Sequence, residues 1–99
     1  MKILHLTLKK KWFDQILAGT KKIEYREIKP YWTKRLFDDN GKSKHYDIIY
    51  FRNGYSKDAH KMQVKFKGIR IGLLKEDIGG WNKGLQIYEI RLGGLVIKN

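Results

Sequence analysis

Cysteine is absent from the 99-residue chain, and that absence removes disulfide scaffolds, thiolate zinc sites, iron-sulfur clusters and cysteine nucleophiles at once. It leaves the redox compartment open. Proline occurs once, at Pro30, so no proline-rich linker divides the chain. No apolar run approaches the roughly 18 residues that a membrane span requires. The opening Met1-Lys2-Ile3-Leu4-His5 reaches Lys9, Lys10 and Lys11 without a signal-peptide core, which gives the expectation of a cytoplasmic protein with no membrane association. Acidic residues are scarce: 10 Asp and Glu stand against 22 Lys and Arg, for a formal charge of +12.

What is present argues for a folded protein. Hydrophobic residues make up 41% and aromatic residues 13% of the chain, too many for a disordered basic tail. A chain of this length buries roughly 60 to 65% of its unfolded surface, enough for one core, so residues 1–99 are read as a single domain. The charge favours polyanions, RNA or DNA first. Seventeen of the 22 cations are lysine, so a basic surface that serves only solubility is the alternative. An anionic membrane surface fits less well, because no segment joins a basic face to a broad apolar one along a helix.

Hydrophobic periodicity predicts an α+β domain. From residue 2 to residue 7 the chain alternates Ile3, His5 and Thr7 against Leu4, Leu6 and the following Leu8, a strand with one strongly apolar face. The period then changes. Trp12, Phe13, Ile16 and Leu17 fall on one side of a helix over residues 10–18, with Gly19 at its left-handed cap. Lys9, Lys10 and Lys11 crowd the first turn, where the macrodipole disfavours each cation by up to about 1 kcal/mol, so local stability does not account for them. They are either solvated lysines beside Asp14 or a polyanion contact.

Residues 22–28 alternate again, with Ile23 and Tyr25 on one face and Lys22, Glu24 and Arg26 on the other. Pro30 ends that strand. Residues 31–37 make one or two helical turns anchored by Tyr31, Trp32, Leu36 and Phe37, and residues 38–43 are turn chemistry. Residues 46–51 are apolar on both faces, which predicts a central strand. Over residues 61–71, Met62, Val64 and Phe66 alternate with Lys61, Gln63, Lys65 and Lys67 until Gly68 slips the phase to Ile69 and Ile71. A glycine at such a slip marks a bulge that bends the strand of a closing barrel. Residues 73–84 read as a mobile loop around Trp81, and residues 85–92 and 95–97 supply the last strand or strands, broken at Gly93-Gly94. The sum is a bent sheet or small, partly closed barrel of about five or six strands, with an N-terminal helix packed at one end.

Familiar catalytic and cofactor-binding patterns are missing from the chain. The sequence holds no phosphate-binding loop and no dinucleotide fingerprint, and no cofactor is expected. His5, His45 and His60 lie in three separate segments, so no metal is expected either. Ser56, Asp58 and His60 name a hydrolase trio, but residues crowded into one loop seldom reach triad geometry, and a plain loop is the better reading.

The informative stretch is Gly19-Thr20-Lys21-Lys22-Ile23-Glu24-Tyr25-Arg26. Glu24 and Arg26 project from one strand face about 7 Å apart and can share a pocket wall. Lys21 joins them only if the strand begins after it or bulges there. The bland alternative is a surface ion pair between Glu24 and Arg26, worth about 0 to 1 kcal/mol. Lys21, Lys22 and Arg26 around Glu24 favour a carboxylate that orients Arg26 or accepts from the amino edge of a base.

Here the chain resembles a known family, the ASCH domains of the PUA-like superfamily. The resemblance rests on a helix ending in glycine followed by Gly-x-Lys-x-x-Glu-x-Arg, matched by Gly19, Lys21, Glu24 and Arg26, with Trp12, Phe13, Ile16 and Leu17 in register before it. It extends loosely through residues 47–51 and 62–71. It implies a PUA-like β-barrel whose cleft, lined by the motif's charged residues, holds RNA or a nucleotide. Some members are similar to amidohydrolases that deacetylate N4-acetylcytidine with the motif lysine, a threonine and a downstream glutamate; others are described as ribonucleases. In this chain Glu24 stands at that threonine's position, and no downstream glutamate is matched.

Around the expected cleft, Lys61, Lys65 and Lys67 form a ladder that a phosphate backbone could follow, although exposed lysines are also an ordinary solubility device. Arg52, Asn53 and Tyr55 end the central strand. Asn53 offers a base-edge contact or simply a turn with Gly54, and Tyr55 or Trp81 could stack on a base for about 1 to 3 kcal/mol. The first expectation is therefore a binding module for RNA or a nucleotide, using Lys21, Glu24 and Arg26. The second is a hydrolase of RNA or a modified nucleoside, with Lys21 and Glu24 as catalytic groups. The third is a basic interaction module for an acidic protein.

Overall fold

The computed structural model describes residues 1–98. Leu4, Leu6 and Leu8 of β1 (Ile3–Leu8) are all buried, as the two-residue period of a strand requires. α1 (Lys10–Leu17) follows at once, buries Phe13 and Ile16, and ends where Gly19 turns left-handed at φ +81°. Glycine takes that backbone angle without the strain a Cβ would bring. The chain continues through β2 (Ile23–Arg26), α2 (Pro30–Leu36), β3 (Ile48–Asn53), β4 (Lys61–Leu73) and β5 (Gln86–Lys98).

The five strands form one sheet in the order β1-β3-β4-β5-β2. β1 and β3 are parallel, joined by the long crossover that carries both helices, and the other neighbours are antiparallel. The sheet curls into a half-barrel. Its edge strands, β1 and β2, meet across an open seam, where Arg26 Nη2 of β2 donates to the Thr7 carbonyl of β1 at 3.3 Å.

The curl has a local cause. Pairing of β4 with β5 slips in register between Gln63 and Val64, between Val64 and Phe66, and between Phe66 and Gly68, and each slip bends the strand. Opposite those slips, a Cβ on Gly93 would stand 2.9 Å from the Lys65 Cβ and 3.2 Å from its carbonyl oxygen. Glycine there lets the two backbones close up. Gly93-Gly94 therefore does not break the last strand as expected: β5 runs unbroken for 13 residues.

Cross-strand rows Leu4–Ile49–Val64 and Leu6–Phe51–Met62 fill the inner face, and Phe13 and Ile16 of α1 and Leu36 of α2 pack into the same core. β3 lies between two strands and buries Ile48, Ile49 and Phe51.

Three expectations change. Of the anchors assigned to the second helix, Leu36 is buried and Trp32 and Phe37 pack half-buried against the core, but Tyr31 is 61% exposed, because α2 lies along the seam. The ionic face of β2 points inward: Glu24 is level with Ile90 and Arg26 with Tyr88, and Glu24 is only 4% exposed. Residues 74–85 are a hydrogen-bonded excursion, with Leu74 buried and the Ile78 and Trp81 backbones exchanging bonds of 2.9 and 2.8 Å. Among the described residues, no helix is long and apolar enough to cross a membrane.

Candidate functional site

β2 begins at Ile23, so Lys21 escapes the strand's alternation and turns toward Glu24, with Nζ 3.6 Å from Oε1. Arg26 Nη1 donates to the other oxygen, Oε2, and to the Tyr25 carbonyl at 2.8 Å. Each oxygen of Glu24 thus faces its own cation in a nearly enclosed setting. Two rings complete the surroundings of Lys21: its ammonium lies 5.0 Å from the centre of Trp12 and 4.8 Å from that of Tyr25. Burial holds the Lys21 pKa below the ordinary lysine value, with Glu24 pulling the other way. Burial, assisted by Glu89, raises that of Tyr25.

A second arginine completes the wall. Arg35 on α2 stands one helical turn beyond Tyr31, donates to its hydroxyl at 3.0 Å, and donates to the His5 carbonyl of β1 at 3.0 Å. The guanidinium carbons of Arg26 and Arg35 lie 5.0 and 5.1 Å from the centre of Trp32, so two seam arginines pack on one indole.

These groups line a cleft of about 640 Å³ along the seam. Lys9, Lys21, Arg26 and Arg35 give it four cations against the carboxylates of Glu24 and Glu27. The volume accommodates one flat, drug-sized ring system, and the walls offer aromatic faces and charged donors. Lys9 is the one lysine of the first-turn run in this lining; Lys10 pairs with Asp14 at 2.6 Å on the exposed side of α1, and Lys11 lies over Trp12.

Lys21, Glu24 and Arg26 are brought together in the cleft, with Tyr55 and Trp81 also in its lining. Tyr55 is 87% exposed. The remaining predicted contacts lie elsewhere. Arg52 Nη2 donates to the Ser56 carbonyl at 2.6 Å, and the Asn53 N–H donates to that of His60 at 2.9 Å, so both close the loop after β3. Lys61 and Lys65 stand on the face of β4 opposite the buried Met62 and Val64, and the exposed Lys67 also lies outside the cleft lining. Strand alternation separates them from the cleft. Ser56 Oγ accepts the Asp58 N–H at 3.3 Å, an ordinary turn contact. Among the described residues, no three His, Asp or Glu side chains gather as a metal site.

Sequence reasoning missed Arg35 and cast Trp32 only as an anchor. The signal was there: Tyr31, Trp32 and Arg35 are spaced to share a helix face. Compared with family models, curated proteins and solved structures, the chain matches none.

Proposed function

We propose that this chain is an ASCH-type, PUA-like module that binds RNA, or a nucleotide within it, in the seam cleft. One observation carries the reading: the motif residues Lys21, Glu24 and Arg26 converge on a cleft where cations outnumber carboxylates two to one and aromatic faces are exposed. Lys21 takes a phosphate or base carbonyl, Glu24 orients Lys21 and Arg26, and Tyr55 and Trp81 stack on a base. A cytoplasmic setting belongs to the same proposal.

The second reading is a hydrolase acting on RNA or on a modified nucleoside such as N4-acetylcytidine. Glu24 holds Lys21 and Arg26 in place, one against each carboxylate oxygen, a positioning role that favours binding over turnover. An acidic protein partner is the third.

The test is a titration of fluorescent hexauridylate at several salt concentrations. The logarithm of the affinity is expected to fall linearly with the logarithm of salt, and Trp81→Ala to cost about 1 to 3 kcal/mol. Affinity no greater than for polyglutamate of equal charge would remove the reading. Product from RNA or N4-acetylcytidine that vanishes in folded Lys21→Ala would replace it with the hydrolase.

A further inference from the structure

Resting on the cleft reading above, we infer that the cleft-facing edge of β1, at His5 and Thr7, is a donor-only rail for the phosphodiester backbone of a single-stranded nucleic acid. Successive residues of β1 turn their backbone groups to opposite edges of the strand. The carbonyls of Lys2 and Leu8 accept from Asp47 and Gly54 at 2.9 Å, on the side of β3. Even-numbered residues therefore pair with β3. The odd-numbered His5 and Thr7 turn to the open edge, where both line the cleft.

An ordinary strand edge alternates donors with acceptors, and so it templates another strand. This one does not. The His5 carbonyl is taken by Arg35 at 3.0 Å and the Thr7 carbonyl by Arg26 at 3.3 Å. The N–H groups of the same two residues point the same way, roughly 6.6 Å apart along the strand. The edge thus presents two amide donors with arginine N–H groups where its acceptors were. A peptide strand would have to expel both arginines and set its own N–H groups in their place. A phosphodiester carries only acceptors there and expels nothing. Charge points the same way, since Lys9, Lys21, Arg26 and Arg35 surround the edge against Glu24 and Glu27. With phosphates along β1, bases reach Tyr55 and Trp81 only if they are unstacked, which selects a single strand.

The test is a titration of ¹⁵N-labelled protein, following the His5 and Thr7 amides, with hexauridylate, uridine, inorganic phosphate and polyglutamate. Hexauridylate is expected to move both amides, and the other three to leave them in place. Thr7→Pro deletes one donor without touching the ladder to β3, since proline is tolerated where the N–H faces outward, and is expected to weaken hexauridylate about tenfold. If that variant does not fold, the amide shifts of the unaltered chain still decide. Hexauridylate bound at the cleft with both amides unmoved overturns the rail and leaves the cleft reading standing. Movement by phosphate alone overturns it in favour of a small anion, and movement by polyglutamate in favour of an acidic protein. Binding of none of these removes the cleft reading and the rail with it.

Discussion

Glu24 is the residue on which the cleft's charges balance. Its carboxylate lies between Lys21 and Arg26, and all three side chains are largely withdrawn from water. Removing the charge strands two cations in a poor solvent for them, so Glu24→Gln should lower stability by about 3 kcal/mol, read from the urea midpoint. Lys21 supplies a pH signature. Its folded pKa lies below 10.5, so between that value and 10.5 the unfolded chain binds more protons, and this group's contribution to stability rises with pH. Urea midpoints should therefore show the unaltered protein gaining on Lys21→Met as the pH is raised toward 10.5. Tyr25, whose pKa is raised above 10.0, weakens both proteins only beyond that point. The motif trio was legible in sequence because it is local, six residues from end to end. The burial of Glu24 was not, because which face of a four-residue edge strand turns inward depends on strands that join it from the far end of the chain.

At the scale of the element, the bulged β4-β5 ribbon and its glycines set the curvature of the sheet. Neither Gly93 nor Gly94 needs a positive φ, yet their surroundings differ sharply. Gly93→Ala drives a methyl against the Lys65 backbone and should cost about 1 to 3 kcal/mol, whereas Gly94→Ala meets nothing within 4 Å and should stay within about 0.5 kcal/mol in the same denaturation experiment. The phase slip at Gly68 was readable, because alternation in β4 visibly changes partner there. The continuity of β5 was not, since two adjacent glycines read as a break until the opposing bulges explain them. The spacing of Arg35 from Tyr31 and Trp32 was readable, but its reach to the His5 carbonyl, 30 residues away, was not, because a backbone acceptor carries no side-chain signature.

At the scale of the whole molecule, the formal charge of +12 is not confined to the cleft. Lys9 lies in the cleft, while Lys65 lies on the far side of β4. With hexauridylate, Lys9→Gln should reduce the salt slope by about 0.7, and Lys65→Gln should leave it unchanged, measured by fluorescence anisotropy. Composition alone made a polyanion partner legible but could not say which lysines face it. The strand order has a consequence for the growing chain on the ribosome. Lys21, Glu24 and Arg26 are made well before β5, the strand with which β2 pairs. Until β5 has been made, the nascent protein carries its recognition residues on an undocked segment, and so it has no pocket in which to capture a ligand.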